Sequence, residues 1–199
     1  MERRKFLCSA FISALSVSVF GKIKFNEGDF EGSCETTKDI LGPFYRPNAP
    51  VRSDLTYKGL EGTIVELKGT VFGEDCLTPV KKACVEIWHC DVNGKYDNKS
   101  GDFLLRAKWF TDDYGQYKFK TILPGKYLNG SEYRPAHIHV RVTSEANREL
   151  ISQIYFKGDP QISKDPWASK PSAELRTLPI VLEGTTGELA VNFDVFLSK

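Results

Sequence analysis

The sequence predicts an all-β protein, a β-sandwich of about eight antiparallel or mixed strands, entered through an extended proline-rich N-terminal arm. Three observations predict it. Beyond residue 61 the apolar residues come in short β-branched or aromatic runs, separated by Asn-Gly, Pro-Gly, Asp-Asp and Gly-Asp steps that favour turns. Outside the first 21 residues no segment keeps an apolar period of 3.6, so nothing supplies helices between the strands. Pro43, Pro47 and Pro50 fall within residues 40–55, where their fixed φ and missing amide hydrogens forbid a regular helix.

Taken in order, residues 1–21 open with Arg3, Arg4 and Lys5 and continue in an apolar run over residues 6–20. That run is shorter than the ~20 residues a bilayer-spanning helix needs, so it is read as an export signal. Arg3-Arg4-Lys5-Phe6-Leu7 resembles a twin-arginine signal, although Glu2 stands where Ser or Thr is usual. Cys8 comes too early in the run to be a lipid-modified cysteine. The chain is therefore expected in the periplasm or outside the cell, with no membrane span after signal removal. Residues 22–60 follow as linker and arm, and residues 61–199 as the sandwich, with strands expected at 62–73, 83–90, 105–111, 116–122, 136–143, 150–156, 175–182 and 189–197.

A 41% hydrophobic content over 199 residues suffices for one buried core, so one domain of catalytic size is expected. The 27 basic and 26 acidic residues nearly cancel and form no run of one sign. Nothing therefore steers the molecule toward nucleic acid or an anionic membrane, and a small or neutral partner is expected.

Past the signal stand Cys34, Cys76, Cys84 and Cys90, an even number that suits an oxidising compartment. Cys84 and Cys90 share one extended strand, about 20 Å apart at ~3.3 Å per residue, so they cannot bond to each other. Four cysteines allow three pairings, among which the sequence alone does not choose; Cys76 comes near Cys84 only across a hairpin loop, which makes Cys34 with Cys90 a guess, and plain buried thiols are the alternative.

The chemistry gathers in YRPAHIHVRV, residues 133–142. On a strand, residues two apart share a face, so His137, His139 and Arg141 point one way and Ile138, Val140 and Val142 the other. The branched residues suit the core, and two convergent imidazoles suit one metal ion. Neither a cupin nor a blue-copper site can be completed: no histidine follows the pair, and the one methionine is Met1. Oxygen ligands are available instead. Tyr96 and Tyr127 each follow a Gly-Lys step at a turn, where glycine can take positive φ and aim a side chain into a cleft. Two phenolates and two imidazoles suit iron(III), and zinc rarely selects phenolates.

Three stretches, GTVFGEDCLTPVKKACVEIWHCDVNGKYD, TDDYGQYKFKTILPGKY and YRPAHIHVRV, together resemble the intradiol ring-cleavage dioxygenases, the family of catechol and protocatechuate dioxygenases. The resemblance covers residues 40–159 and rests on the order Gly-x-Tyr, Pro-x-x-Tyr, Arg-Pro-Ala-His-x-His. It implies a β-sandwich holding one non-haem Fe(3+) per chain through Tyr96, Tyr127, His137 and His139, with Tyr127 the ligand that substrate displaces and that takes a proton from it. It also implies that Arg134 lies beside the substrate ring with Gln153 behind it, and that Leu41, Pro43, Phe44 and Tyr45 of LGPFYRPNAP form substrate wall. Tyr133 lies outside the family pattern and is read as packing or wall.

The implied reaction takes a catecholic ring and O2, cleaves between the two hydroxyl-bearing carbons, inserts both oxygen atoms and gives a cis,cis-muconate-type diacid. Arg46 or Arg52 is a candidate to meet a substrate carboxylate, with solvated surface as the alternative. A non-catalytic binding module that kept the fold is the rival reading, against which the intact set of five site residues argues. No helical segment precedes the sandwich like the one catechol dioxygenases use to dimerise, so an oligomer is neither implied nor excluded. Arg141 receives no role.

Overall fold

Alternation on the central strands builds two sheets with one core between them. In this computed structural model, which describes residues 24–26, 29–31, 34–183 and 188–199, a short antiparallel ribbon comes first: β1 (Lys24–Asn26) with β2 (Asp29–Glu31). The expected signal at residues 1–21 lies outside the described residues. The sandwich strands are β3 (Ile64–Phe72), β4 (Cys84–Trp88), β5 (Arg106–Phe110), β6 (Gln116–Ile122), β7 (Tyr127–Asn129), β8 (Glu132–Arg134), β9 (His137–Thr143) and β10 (Leu150–Phe156). They are followed by β11 (Thr177–Leu178), β12 (Val181–Glu183), β13 (Glu188–Asn192) and β14 (Val195–Phe196). One sheet runs β11-β10-β9-β4-β5; in the other, β3 lies between β6 on one side and the β13–β14 line on the other, with β12 outside β13.

Val65, Leu67 and Val71 of β3 meet Val85 and Ile87 of β4 and Ile138, Val140 and Val142 of β9 in a single buried cluster. The β-sandwich expected from sequence is thus the fold observed, mixed because β13 and β14 run parallel to β3 while β6 runs antiparallel. Gly69 explains why the last strand breaks into β13 and β14. A Cβ there would lie 2.0 Å from the carbonyl oxygen of Phe193, so only glycine admits the bulge, which Thr70 N–H closes onto Asp194 Oδ1 at 2.9 Å.

The expected strand at 175–182 is corrected. Pro171–Arg176 forms a 3-10 turn with proline in its first turn, and the chain then splits into β11 and β12 around Pro179, which has no amide to continue a ladder. The hairpin of β7 and β8 was not foreseen, because each strand is only three residues long.

The arm forms no helix, as its prolines require, and its backbone is hydrogen-bonded to the sheets at both ends. Residues 34–39, read from sequence as linker, follow strand edges: Thr36 N–H donates to Phe196 O at 3.0 Å and Asp39 N–H to Ile151 O at 2.9 Å. The arm then crosses the outer face of the first sheet and reaches β5 and β6, where Arg52 N–H donates to Lys108 O and Leu55 N–H to Lys120 O.

The guessed pairing of Cys34 with Cys90 is corrected, and the alternative of a plain buried thiol holds for Cys90. Cys34 bonds to Cys76 with Cα atoms 6.0 Å apart, while Cys84 and Cys90 are free. Asp75 accepts the amides of Leu77 and Thr78, a turn that puts Cys76 beside the arm; the neighbours of Cys84 across the ladder are Phe110 and Thr143. Cys90 is buried and its thiol donates to Gly125 O. Among the described residues no helix is long and apolar enough to cross a membrane.

Candidate active site

β9 does what its alternation demands: Ile138, Val140 and Val142 enter the core, and His137 and His139 lie on the opposite face under the arm, 1% and 2% exposed. Their ring centroids are 5.0 Å apart. His137 Nδ1 lies 2.7 Å from Pro135 O, and since a carbonyl only accepts, Nδ1 carries the proton and Nε2 keeps its lone pair. Burial, helped by the positive charge of Arg134, lowers its pKa to about 4, so the ring is neutral at pH 7. His139 is lowered further by burial and by His137. Neither of its nitrogens makes a hydrogen bond among the described residues, and Nδ1 is sealed without a partner. Trp88 stacks on its ring at 4.8 Å and 6°, and Gly42 rests against its edge. A Cβ at Gly42, whose φ is +74°, would lie 2.9 Å from Cε1.

The two tyrosines arrive on turns that pack directly on one another. A Cβ on Gly94 would lie 2.5 Å from Lys126 O, and one on Gly125 would lie 2.1 Å from Val92 O. Gly94 also takes φ +77°. Gly125 does not have positive φ, so its expected conformational reason is replaced by close backbone approach. The result is that Tyr96 and Tyr127 meet edge to face, centroids 5.7 Å apart. Tyr96 Oη stands 3.3 Å from His137 Nε2. Burial, ahead of the charges around it, pushes the Tyr96 phenol well above its ordinary pKa. Tyr127 is half-buried, and its hydroxyl makes no hydrogen bond among the described residues.

Of the four arm residues expected as wall, Phe44 closes on the tyrosines, stacked on Tyr96 at 4.3 Å and edge-on to Tyr127 at 5.2 Å. Leu41, half-buried, and Pro43, exposed, flank Gly42. Tyr45 follows the turn at Pro43–Phe44 and lies apart from the two tyrosines: its ring leans on Trp88 and its hydroxyl accepts from Arg141 Nη1 at 2.9 Å. Arg141 thereby acquires a part, since it also binds Glu86 at 2.8 Å and braces the arm behind His139. Arg46 donates to Asp97 and to Ser100 O, and Arg52 to the carbonyls of Phe103 and Arg106, so both staple the arm to the 97–106 loop. Tyr133 is 43% exposed with Lys126 over its ring, on the outside of the β7–β8 hairpin.

Register places Arg134 directly across from Tyr127 and Gln153 directly across from His139. Arg134 Nη2 donates to Gln153 Oε1 at 3.0 Å and Tyr155 Oη at 3.2 Å, and Nε donates to Asp165 Oδ2 at 2.8 Å. Tyr155 Oη donates to Asp39 Oδ2, which Arg176 also binds at 2.8 Å. Gln153 Nε2 holds the arm through Ile40 O at 2.8 Å. Burial alone would raise the Asp165 carboxyl, but Arg134 and the amides of Ala168 and Trp167 outweigh it and hold it below the usual range. Asp39, Tyr155, Asp165 and Arg176 were missed from sequence. Only Tyr155 had a signal, because period 2 on β10 puts it on the face of Gln153.

No cluster of three or more His, Cys, Asp or Glu side chains forms among the described residues. The donors here are of another kind, two neutral imidazoles and two phenols within one aromatic cage. Their fit to a hard cation rests on the free lone pair of His137 Nε2 beside Tyr96 Oη and on the sealed His139 nitrogen without a partner. A cavity of about 1070 Å³ lies against the second sheet, lined by Lys68, Trp109 and Lys118, and touches none of these residues.

A family described as Dioxygenase matches residues 40–199. Chlorocatechol 1,2-dioxygenase of Rhodococcus opacus is 27% identical over 94% of this chain and 80% of its own length. Catechol 1,2-dioxygenase of Acinetobacter baylyi is 34% identical over 65% of this chain. This chain spans about half of that relative, 49%, and 80% of the first. The dioxygenase domain of a dioxygenase carbohydrate-binding protein fusion from Streptomyces sp. SirexAA-E superposes with a TM-score of 0.71 and 28% identity, covering 82% of this chain and 98% of that one. With the tyrosine–histidine cage and the sandwich in place, the chain belongs to the intradiol ring-cleavage dioxygenases, a family of oxidoreductases.

Proposed function

We propose that the protein binds one ferric ion through Tyr96, Tyr127, His137 and His139 and uses it, with O2, to open a catecholic ring between the hydroxyl-bearing carbons, giving a cis,cis-muconate-type diacid. The observation that carries this is the approach of Tyr96 Oη to the unprotonated Nε2 of the buried His137, 3.3 Å. A ferric ion there would supply the Lewis acidity that makes loss of the two catechol protons feasible near neutral pH.

The chain's own residues do the rest. Tyr127, half-buried and with no hydrogen bond to its hydroxyl among the described residues, would accept a substrate proton. Phe44, beside both tyrosines, presents an apolar face for the ring. Arg134 stands across from Tyr127 as the cation beside the ring, and Gln153 holds it. Because Arg46 and Arg52 are committed to backbone carbonyls, no arm arginine is free for a substrate carboxylate, which supports catechol or a hydroxylated catechol over a carboxylated ring. Export is proposed with this activity; the Cys34–Cys76 disulfide supports it, since such bonds persist in oxidising compartments.

Iron-loaded protein is expected to be red to burgundy from tyrosinate charge transfer, to change colour on anaerobic addition of catechol, and to consume O2 with catechol or hydroxyquinol faster than with protocatechuate. Tyr127→Phe is expected to keep colour and slow turnover, and His139→Ala to lose iron. A folded preparation that binds no iron and consumes no O2 overturns the reading; an unchanged visible band in Tyr96→Phe overturns the ligand assignment.

A further inference from the structure

Asp165 lies on no strand and was invisible to sequence patterning, yet it is the most tightly held carboxylate near the site. It follows the 3-10 turn Ile162–Lys164, and its Oδ1 accepts the amides of Trp167 at 2.9 Å and Ala168 at 2.8 Å. Its side chain is 1% exposed. Two residues past Asp165 comes Trp167, whose ring centroid lies 4.4 Å from the Arg134 guanidinium carbon. One short segment thus provides both a carboxylate for the edge of Arg134 and an aromatic ring for its plane.

The donors of Arg134 can be followed one by one. Nε is used by Asp165 Oδ2, and Nη2 by Gln153 Oε1 and Tyr155 Oη, with Asp165 Oδ1 at 3.4 Å. Nη1 makes no hydrogen bond among the described residues. It is not sealed either: among the described residues the sealed side-chain atoms without a partner are Arg52 Nε, Trp88 Nε1 and His139 Nδ1. We propose that Asp165 is a positioning residue, which with Trp167 locks the Arg134 guanidinium so that Nη1 alone is presented to a ring bound beside Tyr127. This rests on the function proposed above. A rigid donor aimed where charge develops stabilises the transition state more than the bound ring, so the loss should fall on kcat rather than KM. A neutral side chain at 165 leaves the guanidinium buried with half its restraint, and a displacement of about 1 Å costs on the order of 100-fold.

The test compares Asp165→Asn with the wild type, alone and in an Arg134→Ala background, by iron content, anaerobic catechol titration of the visible band, and steady-state O2 uptake. Asp165→Asn is expected to bind iron and catechol as the wild type does, with kcat lowered about 10- to 100-fold and KM changed less than about threefold. In the Arg134→Ala background the same substitution is expected to change kcat less than about threefold, because a residue acting through Arg134 has nothing left to act on. A loss of equal size in that background, or wild-type kcat in the single variant, overturns the proposal. Should Asp165→Asn fail to load iron, Asp165→Glu is read by the same two comparisons. Wild type that takes up no O2 with any catechol overturns the proposed function and this inference with it; active wild type with an unaffected Asp165 variant overturns this inference alone.

Discussion

His139 gathers constraints from three distant parts of the chain. Its strand places it, Trp88 on β4 stacks on it, and Gly42 of the arm fits only because it lacks a Cβ. Gly42→Ala would strain a backbone at φ +74° and set a methyl group 2.9 Å from a ring that Trp88 keeps from retreating. The strain costs about 1 kcal/mol, and the steric conflict falls on the imidazole. The expected outcome is a folded protein with much reduced iron occupancy, measured by metal analysis and by the visible band, against a lesser effect for Gly59→Ala, where nothing lies within 4 Å.

Two Gly-Lys-Tyr turns make up the other half of the cage, and each needs its glycine for the other's sake. Gly125 lies against the carbonyl of Val92 and Gly94 against that of Lys126, contacts between backbones that no rotamer change can relieve. Gly125→Ala is therefore expected to destabilise the protein by about 2 kcal/mol or more and to separate the tyrosine rings. Thermal unfolding should show a lowered Tm, and the visible band should shift or vanish in any iron-loaded fraction. The arm is the opposite kind of element, with little local structure of its own, and is held by the Cys34–Cys76 bond and by ladder-like contacts to β10, β5 and β6.

Across the molecule, buried histidines make acid the vulnerable side of the stability curve. His89, the one outside the cage, is fully enclosed, with Nδ1 at 2.8 Å from Cys90 O and Nε2 at 2.8 Å from Thr121 Oγ1. Burial lowers its pKa from 6.5 to about 4. The unfolded chain therefore binds the proton first, and the stabilising contribution present above pH 6.5 is lost as pH falls toward 4. A difference of about 2.5 in pKa at ~1.36 kcal/mol per unit sets a ceiling of about 3 kcal/mol. Denaturant unfolding of the iron-free protein between pH 7 and 4 should show part of this loss, and His89→Gln should flatten that slope. An unchanged slope in the variant would assign the acid lability to other groups.

What the sequence determined alone was local. Period 2 on β9 settled that His137 and His139 share a face and that three branched residues face the core, because a strand's alternation is a property of its backbone. Glycine ahead of lysine and tyrosine marked both turns, and the spacing of prolines marked the arm. Tertiary structure decided everything that depends on which surfaces meet. It chose Cys34 for Cys76, turned Tyr45 away from Phe44's side, spent Arg46 and Arg52 on backbone carbonyls, and brought Asp165 from an unpatterned loop to Arg134. These pairings join residues up to tens of positions apart through chain closure and packing, and no local propensity encodes them.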